Sequence, residues 1–353
     1  VKQGHESIRG RGASENPTNR FEKLSYVEDP HETDPEEPSP KTQVFKDRSH
    51  SLITYNNSPD VGFSASINAY RGCEHGCIYC YARPTHEYLG LSAGLDFETK
   101  ILVKENAPEL LRKELSSKHW KPQVLAMSGV TDCYQPLERR FKITRRCLEV
   151  LAEFRNPVVI ITKNHLVTRD IDFLKELARF DAVAVYISVT TLDDKLRRIL
   201  EPRTSPPARR LEAIKALSSA GIPTGVLVAP VIPAITDPEI PSILQVAAKA
   251  GAGFAGHVML RLPFAVKTLF EEWLSEHFPE RKEKVLHRIQ AIRGGKLNDP
   301  RFGSRMSGEG IFAEEIHSLF TIASRKAGFL KRGLELSTAG FRRPSGDQLG
   351  LFG

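Results

Sequence analysis

From Ser64 to Leu262 the chain repeats one pattern, a short apolar run followed by a longer stretch with apolar residues at helical spacing. The runs are Ser64 to Tyr70, Gln123 to Met127, Val158 to Thr162, Ala182 to Ser188, Thr224 to Ala229 and His257 to Leu260. Runs so short and so evenly apolar read as strands buried on both faces. Helical stretches fall between them at Lys142 to Phe154, Arg169 to Phe180, Asp193 to Leu200, Pro207 to Ala220 and Ile240 to Ala250. A helix between two strands returns the chain to the same end of the sheet, so the strands run parallel. Six such units predict an α/β fold, a partial (β/α)6 barrel of TIM type, with its chemistry in the loops at the carboxyl ends of the strands.

One of those loops stands out. Tyr70-Arg71-Gly72-Cys73-Glu74-His75-Gly76-Cys77-Ile78-Tyr79-Cys80-Tyr81 holds three of the five cysteines, spaced Cys-x3-Cys-x2-Cys. Three crowded cysteines cannot all pair as disulfides, so the spacing points to a metal group in a reducing compartment, with the cytoplasm as the default. A four-iron cubane normally takes four thiolates. With three, one iron keeps an open position for a ligand, as catalytic metal sites generally do. The residues leave a second possibility open, a structural zinc completed by His75 or His86 in a nucleic-acid-binding module.

Together with Asn68-Ala69 ahead of it and Tyr79 just before the last cysteine, this stretch resembles the cluster loop of the radical S-adenosylmethionine (SAM) superfamily, and within it the spore photoproduct lyase group. The resemblance spans about Ser64 to Leu262. It implies a radical SAM enzyme with a [4Fe-4S] cluster on Cys73, Cys77 and Cys80, and SAM chelated to the open iron. It also implies reductive cleavage to a 5′-deoxyadenosyl radical, and an electron donor such as flavodoxin or ferredoxin. The implied substrate is a nucleic acid, as for a DNA photoproduct lyase; a peptide or small metabolite is the alternative.

The same resemblance assigns cofactor-binding roles. Tyr79 sits near the adenine, and Tyr81 is the next aromatic outward. Ser128, Gly129 and Thr131 lie in the loop used for the SAM amino group. Lys163 matches the lysine that meets the SAM carboxylate, and Ser188 the ribose-binding serine. Arg203 is expected to supplement Lys163 or to pair with Glu201, and Val228 to Pro233 to line the adenine pocket. Cys133 is the catalytic candidate, a thiol able to give a hydrogen atom, although it follows Asp132 where the group's cysteine precedes the Thr/Asp region. Cys147 lies on the apolar face of a helix and reads as core.

The flanks differ in kind. Residues 1–50 are polar, rich in Pro, Glu, Asp and Arg, and are expected to be flexible, because such a segment buries too little to offset its ordering entropy. Residues 51–262 form the expected core, and 263–353 a C-terminal extension with helices near Val266 to His277 and Ala313 to Lys326. No apolar run is long enough to span a bilayer, so no membrane contact is expected. A net charge of +7 permits nucleic acid binding. Basic groups lie at Arg139 to Arg146, Arg197-Arg198, Arg203, Arg209-Arg210 and in the tail at Lys331, Arg332, Arg342 and Arg343.

Overall fold

Val158 to Thr162 buries alternate side chains completely and the others half, as a strand enclosed between helices and core does. It is the middle of a seven-stranded sheet in the computed structural model, which describes residues 8–22, 40–329 and 334–344. In chain order the strands are β1 (Gln43–Lys46), β2 (Ile53–Tyr55), β3 (Ala65–Ile67), β4 (Tyr70–Arg71), β5 (Lys100–Val103) and β6 (Leu125–Met127), then β7 (Val158–Thr162), β8 (Val183–Ser188), β9 (Thr224–Val231) and β10 (Phe254–Met259). The large sheet runs β10-β9-β8-β7-β6-β3-β2. Every pairing from β3 to β10 is parallel, and β2 adds an antiparallel edge.

Parallel strands in sequence order with intervening helices give the α/β architecture expected, with its two sheet edges left unjoined. The helix Ile143–Phe154 shows why the elements lock together. Ile143, Cys147, Leu148, Val150, Leu151 and Phe154 are all buried, a stripe at helical spacing, and the helix stops where Arg155 turns left-handed at φ 53°. β1, β4 and β5 form a second, three-stranded sheet that carries the start of the cysteine loop.

Three boundaries depart from the sequence reading. The run Ser64 to Tyr70, expected to be one strand, is divided into β3 of the large sheet and β4 of the small one, with Asn68 and Ala69 between them. β10 begins at Phe254 rather than His257, because Gly256 and His257 interrupt the apolar run without breaking the pairing to β9. Within the segment expected to be flexible, residues 8–22 lie against the cysteine loop and Gln43–Lys46 pairs with β5. Main-chain N–H groups of Gly12 and Ala13 donate to the buried Glu98 carboxylate at 3.0 and 2.9 Å, so polar residues dock here without an apolar stripe. A Cβ on Gly12 would meet the Gly76 carbonyl oxygen at 1.7 Å, which only glycine avoids. The rest of the flexible expectation, residues 1–7 and 23–39, and the basic pair Lys331-Arg332 fall outside the described residues. Among the described residues no helix is long and apolar enough to cross a membrane.

The C-terminal helix Ile311–Ala327 covers β10 through an imidazole contact. The His257 ring lies 4.2 Å from that of Phe320 and 5.7 Å from that of His317. Burial and the neighbouring His317 push His257 down to about 4, so the folded protein refuses a proton that the unfolded chain accepts. This contribution to stability is complete above the ordinary value of 6.5 and is lost as pH falls from 6.5 toward about 4. Urea titrations should therefore show the gap between wild type and His257→Phe changing in favour of the variant across that window. A gap that stays constant with pH would contradict this.

Candidate active site

Because β3 and β6 to β10 are parallel, the segments that follow them share one edge of the sheet. The cysteine loop follows β3 by way of the short β4, Ser128 to Asp132 follows β6, and Lys163 follows β7. Ser188 ends β8, the proline-rich segment ends and follows β9, and Arg261 lies just beyond β10. Sequence order alone thus gathers the predicted site residues.

The cysteine loop is held from three sides by carboxylates, Glu98 and Glu201 buried and Asp132 nearly so. Glu98 pairs with the fully buried Arg83, whose Nε donates 3.0 Å to the Cys77 carbonyl oxygen. Glu201 accepts from the Tyr79 hydroxyl, from Thr190 Oγ1 at 2.7 Å and from Arg210. Asp132 lies 3.4 Å from His75 Nδ1 and accepts from Lys163 N at 2.8 Å and Thr162 Oγ1 at 2.7 Å. Glu74 adds a fourth tie: its N–H donates to Gln135 Oε1 at 3.0 Å, and its carboxylate takes Thr42 and Arg203.

These contacts set the charges. Burial opposes ionisation of Glu201, yet Arg210, Lys163, Thr190 and Tyr79 outweigh it and hold the carboxyl down at about 2. Burial likewise disfavours a charged His75, but Asp132 and Cys73 outweigh it and raise the imidazole to about 10. Burial pushes the Cys77 thiol well up, with Glu201 adding to the effect and Lys163 opposing it; Cys80 and Cys73 add further. Cys80 is raised by burial and by Cys73, with Arg83 opposing.

Three thiols on one loop, with the remaining cysteines in the main core, suit an iron–sulfur cluster that offers one ligand position to another molecule. The zinc alternative fits less well through His75, whose ring is held between Asp132 and Asn164 Nδ2; His86 bonds the Lys100 carbonyl through Nε2 at 2.9 Å and keeps Nδ1 buried without a partner. Among the described residues no three His, Cys, Asp or Glu side chains are gathered as a single ion requires. A cubane spreads its ligands over separate corners and needs no such closeness.

The other predicted residues fall into two groups. Tyr79 and Lys163 meet: the ammonium lies 5.9 Å from the ring centre and donates 3.1 Å to the Ala229 carbonyl at the end of β9. Tyr81 is half-exposed and its hydroxyl donates 2.8 Å to the Gly129 carbonyl, joining the cysteine loop to the loop after β6. In that loop Ser128 sits at φ 85°, a strained conformation for a residue with a Cβ, and its Oγ accepts from Cys133 N at 2.9 Å. Thr131 is buried, its hydroxyl on the Tyr70 carbonyl at 3.2 Å, and Ser188 is buried at its strand end.

Arg203 does not pair with Glu201. It binds Glu74 at 3.1 Å, and its N–H donates to the His75 carbonyl, while Arg210 occupies Glu201. Cys133 is 4% exposed and belongs to the main core, as does Cys147 at 1%. Most of the basic clusters are engaged within the chain: Arg145 with Asp170 and Asp172, Arg197 and Arg198 with Asp194, Arg209 with Glu212. In the tail, Arg342 and Arg343 donate to main-chain carbonyls of Glu153, Ser117 and Trp120. Sequence reasoning missed Glu98, Arg83, Gln135 and Asn164, and took Glu201 for part of a charged turn. The nearest signal is Glu98 directly after Phe97 and shortly before the apolar run Ile101 to Val103.

A buried ion pair is strongly destabilised by removing one partner, because the other charge is left without compensation. Glu201→Ala should lower stability by about 3–5 kcal/mol, read from the urea midpoint. An unchanged midpoint would show that Glu201 does not anchor the loop.

The radical SAM superfamily model matches residues 67–247 of the chain. An uncharacterized protein of Mycobacterium tuberculosis (strain ATCC 25618 / H37Rv) is 37% identical over 226 residues, which are 64% of this chain. That alignment spans 66% of the relative, just short of two thirds of its length. An uncharacterized protein of Methanocaldococcus jannaschii is 29% identical over 245 residues, 69% of this chain and 87% of its own. Among solved structures, spore photoproduct lyase complexed with dinucleoside spore photoproduct superposes with a TM-score of 0.58 at 16% identity. The superposition covers 81% of this chain and 79% of that one, and at such identity it speaks for the fold.

Proposed function

We propose, from the premise that the chain belongs to the radical SAM superfamily, that its cluster is held by Cys73, Cys77 and Cys80 and that its substrate is a nucleic acid strand. The superfamily is one of enzymes that use a [4Fe-4S] cluster and SAM, and these are the cofactors of this chain. The observation that carries the reading is the placement of three cysteines on one loop after β3, beside the loops that follow β6 and β7. When bound, the cluster and SAM supply a 5′-deoxyadenosyl radical by one-electron cleavage of the sulfonium, for hydrogen abstraction from the substrate.

The chain's own residues do the rest. Lys163, fixed over Tyr79 by the Ala229 carbonyl, points an ammonium along the carboxyl edge, where a SAM carboxylate forms a charge-assisted contact. Ser128 and Gly129, on a loop tied to Tyr81, offer main-chain groups to the SAM amino group, with Thr131 bracing the loop from beneath. Ser188 and the segment after β9 border the ribose and adenine. Arg203 acts through Glu74, as a brace for the cysteine loop. Burial favours packing beneath the Ser128 loop as the part played by Cys133, in place of hydrogen-atom donation.

Support for a nucleic acid substrate comes from half-exposed aromatic rings paired with guanidinium groups. Arg261 lies 5.1 Å from the Tyr81 ring centre, Arg20 lies 3.6 Å from that of Phe264, and Arg305 lies 4.4 Å from that of Phe302. Arg20 and Arg305 are also paired with Glu87 and Asp60, so of these three Arg261 is the one with its charge left for a phosphate, while the exposed rings offer stacking faces to unpaired bases. The spore photoproduct lyase that shares the fold was solved with a dinucleoside photoproduct, which accords with this substrate class. A one-electron donor of the flavodoxin or ferredoxin kind and a reducing cytoplasmic setting complete the reading.

Anaerobically reconstituted protein should hold about four irons and release 5′-deoxyadenosine from SAM once reduced. Cys73→Ser, Cys77→Ser and Cys80→Ser should each lose both properties. Zinc without iron, and SAM left intact under reduction, would sink the proposal.

A further inference from the structure

Arg261 is a half-buried arginine at the carboxyl edge for which the fold provides no carboxylate. The Leu260 N–H, donating 3.0 Å to the Val231 carbonyl, fixes the chain just past β10, so the next residue projects from the edge of the sheet. The guanidinium lies over Tyr81, which directly follows Cys80 and is bonded to the Gly129 carbonyl. Arg261 is thereby one side chain away from both the cysteine loop and the loop after β6.

Its hydrogen-bonding capacity is unmet. Nε is buried without a partner, and Nη1 reaches only the Met306 thioether at 3.6 Å, a weak acceptor. Among the described residues no carboxylate pairs with it. The nearby acid, Asp60, is occupied by Arg305 and by the Gly303 N–H at 2.6 Å. Burial together with Arg305 holds Arg261 below its ordinary value, with Tyr81 and Asp60 only partly opposing them.

Other buried arginines show what satisfaction looks like in this fold. Arg83 and Arg210 pair with Glu98 and Glu201, and Arg293, whose Nε is also unpartnered, still donates through both terminal nitrogens to the Ser304 and Leu260 carbonyls at 2.9 and 2.6 Å. A guanidinium without such partners, set beside a reactive centre, is suited to a planar anion carried by the substrate.

We infer that Arg261 binds a backbone phosphate of the strand on which the enzyme acts, with the Tyr81 and Phe302 rings providing faces for the adjoining bases. This rests on the nucleic-acid reading above. The flanking rings distinguish a phosphodiester from a small carboxylate, because consecutive bases present π-faces on both sides of each phosphate. The 5.1 Å cation–ring contact keeps Arg261 on the Tyr81 face without an acid, while Arg305, 4.4 Å from the Phe302 ring centre, is also held by Asp60.

The experiment measures fluorescence anisotropy of short labelled single-stranded DNA and RNA of one sequence, with reconstituted wild type, Arg261→Gln and Arg261→Lys over a salt series. Wild type should bind one or both, more weakly as salt rises. Arg261→Gln should weaken binding about tenfold at low salt and reduce the salt slope by about one. Arg261→Lys should keep the slope, since it keeps the charge, and lose part of the affinity with the fork. Iron content and melting temperature show whether each variant is folded, and should Arg261→Gln fail to fold, Arg261→Lys decides. Wild-type affinity and slope in a folded Arg261→Gln, or full affinity in Arg261→Lys, overturn the assignment of Arg261. If wild type binds neither oligonucleotide, the nucleic-acid reading falls and this inference with it.

Discussion

The architecture depends on buried carboxylates that fix a loop unable to fix itself. A loop that gives three side chains to a cluster packs mainly through Ile78, Tyr79 and Ala82, so its main chain also needs polar anchors. Glu98, Glu201 and Asp132 supply them, each shielded from water or nearly so and each satisfied by several donors. Ionised groups in such surroundings are tolerated only when fully bonded. The same networks that stabilise the carboxylates therefore hold the cysteines in place.

Each anchor also joins the cysteine loop to a different part of the sheet. Glu98 leads to the docked N-terminal residues, Glu201 to Thr190 beyond β8 and to Arg210, and Asp132 to Thr162 at the end of β7. Lys163 and Thr190 both reach the Ala229 carbonyl, which extends the tie to β9. At the open side, Asp60 in the turn between β2 and β3 holds Arg305 and Gly303 of the C-terminal region. The loops that surround the reaction are thus carried by one connected framework, and Arg261 stands beside its last link.

The strands and helices were largely legible in the sequence because burial on both faces leaves a continuous apolar run, and the core helices carry a stripe. Val158 to Thr162 matches to the residue, and the helices at Ile143–Phe154 and Pro207–Ser219 lie within a residue of their expected ends. Where side chains do not reveal the contact, the sequence is silent. Gly12 and Ala13 dock through main-chain N–H groups, Gly256 hides the start of β10, and the helix Lys282–Ala291 is mostly polar. The cysteines and Lys163 were found from spacing and strand position. The partners of Arg203 and Glu201 were not, because a charged turn gives no hint of which carboxylate will be buried.

The central claim is that three cysteines leave one iron of a four-iron cluster open to SAM. Electron paramagnetic resonance of the reduced, reconstituted protein, recorded with and without SAM, tests it most directly. The reduced cluster should give a signal whose shape changes when SAM is added. A protein with no cluster signal, or with one that SAM leaves unaltered, would contradict it.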